Sequence, residues 1–280
     1  MDDEADSWLE QAEVLRQQQK YAEELLALER ALEVDVHNPN AWHEKGHVLG
    51  QLKRYEEAAQ AYDRAIDLQP DRALTWNNKG VILRNLKRYD EALAAFERGI
   101  ALALHDPILH ENKAQTLWRL KRYDAALRAF DLALANADEE PRTARTWMGR
   151  GLALVALKRY TDALDAYDHA LQLDASYVLA WSNRASVLIR MGRYEEALST
   201  VDQAIALDKM VADAWYNRGL ALDPLKRYEE ALEAFSWTVE LDPQHEQAWR
   251  AMFRTLVREH RFREAWRVAR RALNAINLEH

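Results

Sequence analysis

Residues 42–75 read WHEKGHVLGQLKRYEEAAQAYDRAIDLQPDRALT, and residues 76–109 read WNNKGVILRNLKRYDEALAAFERGIALALHDPIL. The second stretch repeats the first in register: Trp42 becomes Trp76, Gly46 becomes Gly80, and the run Leu-Lys-Arg-Tyr ending at Tyr55 recurs ending at Tyr89. A fixed period of this length has to be settled before any local motif is trusted, because it decides the whole architecture. Working outward, tryptophan recurs at Trp8, Trp42, Trp76, Trp147, Trp181, Trp215 and Trp249. The long step between Trp76 and Trp147 resolves if His110 takes the missing tryptophan position. The extra residues then fall in the acidic segment Asp138-Glu139-Glu140-Pro141-Arg142-Thr143. A second marker agrees, since Tyr21, Tyr55, Tyr89, Tyr123, Tyr160, Tyr194, Tyr228 and Phe262 each follow the first at the same interval. The chain thus reads as eight repeats, starting near residues 5, 39, 73, 107, 144, 178, 212 and 246.

Within a repeat the apolar spacing is helical twice over. Trp42, Gly46, Leu49 and Leu52 share one helix face, and Ala58, Tyr62, Ala65, Ile66 and Leu68 share another. Small residues recur where two helix backbones have to approach: Gly46, Gly80, Ala114, Gly151, Ala185 and Gly219 in the first helix, and Ala58, Ala92, Ala126, Ala163, Ala197, Ala231 and Ala265 in the second.

With these markers in place the chain resembles a tetratricopeptide repeat (TPR) array along essentially its whole length. The resemblance implies an all-α solenoid of antiparallel helix pairs, a right-handed α-α superhelix over residues 1–280, whose first helices line a concave groove that binds peptides or proteins. Departures concentrate at the ends, where repeat proteins are usually atypical. Glu24 stands in a small-residue slot of repeat one. In repeat eight Phe253 occupies a small-residue slot while Ala269 sits where an aromatic belongs, which reads as a compensating size swap.

Composition narrows the function classes. The 280 residues are 49% hydrophobic and 30% charged, a globular balance without an apolar run long enough to span a bilayer. The acidic opening Met1-Asp2-Asp3-Glu4 is the opposite of a secretory leader. Zero cysteines removes disulfides, thiolate nucleophiles and cysteine zinc sites, and fits a cytoplasmic setting. The net charge of -8 is unevenly spread, with residues 1–35 carrying all of that acidity and the last 35 residues a surplus of arginine. An acidic head and a basic tail point to different partners at the two ends. The closing Leu278-Glu279-His280 resembles the beginning of a vector-encoded histidine tag, so the chain is expected to be a region cut from a longer protein.

Few motifs carry chemistry. His43-Glu44-Lys45-Gly46-His47 fits the H-E-x-x-H pattern that puts two imidazoles one turn apart, but the repeat frame already demands Trp42 and Gly46. No metal or other cofactor is therefore expected; in the family's geometry His43, Glu44 and His47 would face the groove. The serines lie in no nucleophile context, so the reading is of a non-enzyme. Lys45, Lys79, Lys113, Arg150, Arg184 and Arg218 recur once per repeat and read as a structural row rather than a nucleic-acid stripe. The recurring Leu-Lys-Arg-Tyr reads as the turn between the two helices.

The sharper functional signal is asparagine at the sixth position of the first helix, in Asn78, Asn112, Asn183 and Asn217. In several TPR proteins such a ladder holds the backbone of an extended peptide, because an amide donates and accepts at once; the alternative is that these amides bond neighbouring helices. Trp118, Met148, Leu152, Val155, Ile189, Tyr216 and Leu220 add apolar groups at groove positions that the frame does not require. A peptide is expected along repeats three to seven, anchored by Trp118 and Tyr216 over a floor of Met148 and Leu152. The pairs His43/His47, Asn77/Val81, Glu111/Gln115 and Ser182/Ser186 do not match a carboxylate-capturing clamp. Arg250, Arg254 and Arg258 recur every four residues, forming a basic tail suited to phosphates, an acidic peptide or the acidic head of a second copy. Nucleic acid is disfavoured, since no aromatics interleave with these arginines. The reading is a protein-interaction scaffold. A regulatory or substrate-presenting region of a larger enzyme and a phosphate or nucleic-acid binder acting through the C-terminal arginines are the alternatives.

Overall fold

The computed structural model describes residues 2–136 and 143–276. The lengthened acidic segment, apart from Thr143, and Leu278–His280 lie outside the described residues. The chain divides into two compact units, residues 1–138 and 139–280. Unit one holds the helix pairs α1 (Asp2–Gln17) and α2 (Tyr21–Val34), α3 (Pro39–Gln51) and α4 (Tyr55–Leu68), α5 (Ala73–Asn85) and α6 (Tyr89–Leu102), and α7 (Pro107–Arg119) and α8 (Tyr123–Ala135). Unit two holds α9 (Ala144–Ala156) and α10 (Tyr160–Leu173), α11 (Val178–Arg190) and α12 (Tyr194–Leu207), α13 (Ala212–Leu222) and α14 (Tyr228–Leu241), and α15 (Glu246–Arg258) and α16 (Phe262–Ile276). The described residues contain no strand. No helix among them is long and apolar enough to cross a membrane.

The pair is built around one contact. The ring of Tyr62, Phe96, Tyr167 or Phe235 on the second helix lies flat against the glycine of the first, and each ring is fully buried. A Cβ added at Gly80 would stand 2.5 Å from the Phe96 ring, and one at Gly46 would stand 2.9 Å from Tyr62. Glycine is therefore required there by space. The second-helix alanines, from Ala58 to Ala265, are buried as the spacing predicts.

Five of the recurring indoles tie their own repeat to the preceding loop. Trp42, Trp76, Trp181, Trp215 and Trp249 donate through Nε1 to the carbonyls of Val36, Pro70, Ala175, Lys209 and Pro243, six residues back, at 2.8–3.0 Å. His110 does the same through Nε2, 2.8 Å from the Leu104 carbonyl, so the substitution read from the period is a functional equivalence. Helix starts are marked where the sequence allows: Asn38 and Asp106 cap α3 and α7 ahead of Pro39 and Pro107.

Leu-Lys-Arg-Tyr is the inter-helix turn. Lys53, Lys87, Lys121, Lys158 and Lys226 all sit in the left-handed region, with φ near 60°. The following arginine folds onto an acid three residues on in four of these turns, as Arg54 does to Glu57 at 2.7 and 2.6 Å, while Arg122 instead bridges Asp90 of the preceding repeat. The once-per-repeat basic row is also internal to the scaffold. Lys45, Lys79, Lys113, Arg184 and Arg218 each bridge an acid sixteen residues earlier: Glu29, Asp63, Glu97, Asp168 and Asp202. These pairs engage the row within the scaffold.

Repeat eight departs from the expected compensation. Phe253 and Ala269 are exchanged in size, yet Phe253 stays 37% exposed and Ala269 half-buried, so the swap does not seal the pair. Glu24 is the other anomaly, 1% exposed in a slot that holds alanine elsewhere.

Candidate peptide-binding groove

Within each unit successive first helices touch one another, α3 with α5, α5 with α7, and α11 with α13. Their side chains therefore share a common surface. In unit two this surface contains a cavity of about 400 Å³ lined by Asn183, Ile189, Tyr216, Asn217 and Leu220, all expected at the groove, together with Leu179, Ser182, Ser186, Arg190, Asp213 and Gln247. Leu179, Arg190, Asp213 and Gln247 were missed in the sequence. They occupy the first and last turns of their helices, where the repeat pattern is least constrained.

The asparagines have intramolecular partners. Asn217 is buried and donates from Nδ2 to the Ser182 carbonyl at 3.1 Å and to its hydroxyl at 3.2 Å. Asn183 donates to the Leu179 carbonyl of its own helix at 2.8 Å. An amide nitrogen carries two protons, so Asn183 keeps a further donor, both protons of Asn217 are engaged by Ser182, and the carbonyl lone pairs remain in the inventory of each. In unit one the amides form a longer chain. Asn112 donates to Asn77 at 2.9 Å and accepts from Arg84 at 3.2 Å. Asn77 donates to Asn78 at 3.3 Å, and Asn78 lies 3.5 Å from Nε2 of His43. The alternative reading of the ladder, bonding between neighbouring helices, thus describes a large part of what these side chains do.

The anchors are half-buried. Tyr216 packs its ring 4.6 Å from His245 and 6.0 Å from Phe235, and burial raises its phenol pKa above the ordinary range. It stays protonated, able to donate, at any physiological pH. Met148 packs against the buried cluster of Ala144, Ala170, Leu171 and Ala180, and Leu152 is likewise half-buried, so this floor is partly core. Trp118, in unit one, meets Tyr123 edge to face at 6.5 Å, and its buried Nε1 has no hydrogen-bond partner.

The histidine pair departs from expectation. His43 does not face the groove: it is buried, with Nδ1 2.9 Å from the Thr75 hydroxyl and its ring edge-on to Tyr62. Burial, then the electrostatic influence of Arg72, His47 and Arg16, lowers its pKa to about 4. Glu44 is engaged by Arg16. No group of three or more His, Cys, Asp or Glu side chains among the described residues is placed to hold a metal ion. The basic tail is also reduced, because Arg258 bridges Asp223 and lies over the Tyr228 ring, while Arg250 pairs with Glu246. Arg250 and Arg254 line a separate cavity on repeat eight.

Comparison with known proteins agrees with this geometry. The tetratricopeptide repeat family model matches residues 43–107, 111–178 and 182–249. No curated protein matches the chain. Among solved structures, the chain is similar to YrrB, described as a TPR protein with an unusual peptide-binding site, at 24% identity and a TM-score of 0.58, covering 69% of this chain and 98% of that one. It is also similar to the C-terminal part of a TPR repeat-containing protein from Cytophaga hutchinsonii, at 13% identity and a TM-score of 0.70 over 87% of this chain and 99% of that one. A tetratricopeptide repeat protein from Parabacteroides merdae gives 14% identity and a TM-score of 0.67, with 91% and 99% covered. At these identities the structures speak for the fold alone. With the family model matching well over half of the chain, and the glycine–aromatic contact and indole ties recurring along it, the protein belongs to the tetratricopeptide repeat family.

Proposed function

We propose that the chain is a cytoplasmic protein-interaction scaffold without catalytic activity of its own, binding an extended peptide segment of a partner protein on the first-helix surface of unit two. The observation that carries this reading is the cavity where Asn183, Tyr216 and Asn217 meet the apolar Leu179, Ile189 and Leu220, with Arg190 and Asp213 also in the lining. Such a mixture, apolar side chains set among polar groups of fixed position, is how a groove holds a backbone and reads side chains. One neighbour of similar fold, YrrB, is described as having a peptide-binding site. A hydrogen bond from each asparagine contributes about 1 kcal/mol net, too little to order a flexible peptide alone, so Tyr216 and the leucines supply most of the affinity.

The test is selection of peptides from a displayed random library on the whole chain, followed by affinity measurement. Tyr216→Ala should weaken selected peptides by about thirtyfold, the scale of a buried aromatic anchor. Trp237→Ala, which removes an exposed ring stacked on Trp215, should change affinity by less than about twofold. Peptides indifferent to Tyr216 would overturn the reading. A second mode, head-to-tail association of copies, is supported by a separate set of exposed residues at the two ends of the chain.

A further inference from the structure

Repeat eight exposes what every comparable repeat hides. Trp266 on α16 is 74% exposed, whereas its equivalents Leu25, Ala59 and Leu93 in unit one and Leu164, Leu198 and Leu232 in unit two are all buried, at 6–9%. Leu273 is 62% exposed, against burial of its equivalents Leu32, Ile66, Leu171 and Val239 and half-burial of Ile100 and Ile205. Those positions are covered, within each unit, by the first helix of the next pair. On repeat eight the same face instead forms a cavity of about 630 Å³, lined by Trp249, Phe253, Ala269, Ala272 and Leu273 and rimmed by Arg250 and Arg254. The face presents large apolar groups set among arginines, with Glu246 also in the lining.

The opposite end carries the matching defect. Val14 on α1 is 51% exposed, while its equivalents Val48, Ile82 and Thr116 in unit one and Val187, Ala221 and Thr255 in unit two are buried. Ser7 is exposed where Ala41, Thr75 and Leu109 are buried. Around Val14, α1 presents the exposed acids Glu4, Asp6, Glu10 and Glu13. Arg254 at the cavity, and Arg263, Arg267 and Arg270 along α16, are exposed and have no carboxylate within ion-pair distance among the described residues.

We propose that the outer face of the α15–α16 pair is a socket for α1 of a second copy of this chain, so that copies join head to tail. The incoming α1 takes the place that a next first helix occupies elsewhere in the array. Val14 enters the apolar cavity beside Leu273 and Phe253, and the α1 acids meet the unpaired arginines. The charges are complementary only in this orientation; tail to tail would oppose arginine with arginine. The contact uses two different surfaces, so it propagates into open chains or closes into rings instead of stopping at a dimer.

Sedimentation of the full chain over a wide concentration range tests this. Wild type should form oligomers that grow with concentration, with dissociation rising about tenfold from low to high salt as the exposed pairs are screened. The tail variant Trp266→Glu/Leu273→Glu and the head variant Glu10→Lys/Val14→Lys should each be monomeric with unchanged helix content. Mixed in equal amounts, they should give a dimer and nothing larger, since one intact head meets one intact tail. A second readout avoids substituting the apolar anchors. Ala269→Cys places the sole thiol of a cysteine-free chain in the socket. Added wild type should slow its labelling, and the added head variant should not. A wild type that is monomeric at every concentration and salt overturns the proposal, whether the thiol is open, leaving the face bare, or shielded, showing that the chain's own residues cover it. A mixture that stays monomeric while wild type associates overturns the head-to-tail geometry.

Discussion

Burying Glu24 in an alanine slot makes the stability of repeat one depend on pH in a direction opposite to that of most carboxylates. Its side chain is 1% exposed and Oε2 has no hydrogen-bond partner. Burial raises its pKa from 4.5 to about 7, with Arg16 pulling it down and Glu44 pushing it up. A folded-state value above the unfolded one means that the native state binds the proton more tightly. The penalty is absent below the unfolded value of 4.5, grows as pH rises, and is complete above about 7. The gap corresponds to about 3 kcal/mol. Glu24→Gln removes the titration while keeping the volume. Because an end repeat can open without the rest of the array, the readout is the exchange free energy of α2 amides, measured in wild type and variant from pH 4 to pH 8. The variant should gain about 3 kcal/mol relative to wild type across that range. His43 works in the opposite sense: its value is lowered to about 4, so it withdraws stability as pH falls below its ordinary 6.5. The two slopes oppose each other in the wild type, and Glu24→Gln exposes the acid sensitivity of His43. A Glu24→Gln effect that is the same at pH 4 and pH 8 would refute the assignment of a buried, proton-binding carboxylate.

Three further substitutions probe the scaffold. Gly80→Leu drives a side chain into the Phe96 ring and should cost at least about 3 kcal/mol by thermal or urea unfolding of unit one. His110→Trp should retain the tie to the Leu104 carbonyl and be near neutral, whereas His110→Ala leaves that carbonyl unpartnered and should cost about 1–2 kcal/mol. Arg184→Gln removes one rung of the ion-pair ladder and should cost no more than about 1 kcal/mol, diminishing in high salt, because Asp168 is 43% exposed.

The fold was legible because most repeats spend the same residues on the same contacts. Trp42 and its equivalents reach carbonyls six residues back, and the glycine–aromatic contact lies within one repeat, so local sequence encodes both. Even the exception was readable, since an imidazole nitrogen can replace an indole N–H. The site was less legible, because its hydrogen bonds cross repeats. Asn217 could be placed on its helix from spacing, but its partner Ser182 is thirty-five residues away and nothing local announces it. His43 was assigned to the groove by its position and is instead drawn inward by Thr75 of the next first helix. The Phe253/Ala269 exchange looked balanced in volume. Its outcome depends on what covers α16, which the size of two residues does not encode.

The central claim, that the first-helix surface of unit two receives a peptide, is tested most directly by photo-crosslinking. A peptide selected on the full chain, carrying a photoreactive residue at successive positions, is crosslinked and the adducts are mapped by mass spectrometry. The account predicts adducts on α11 and α13, at Leu179, Ile189, Tyr216 and Leu220, which share one cavity. Adducts confined to the second helices α12 and α14, or to the apolar face of repeat eight, would contradict it.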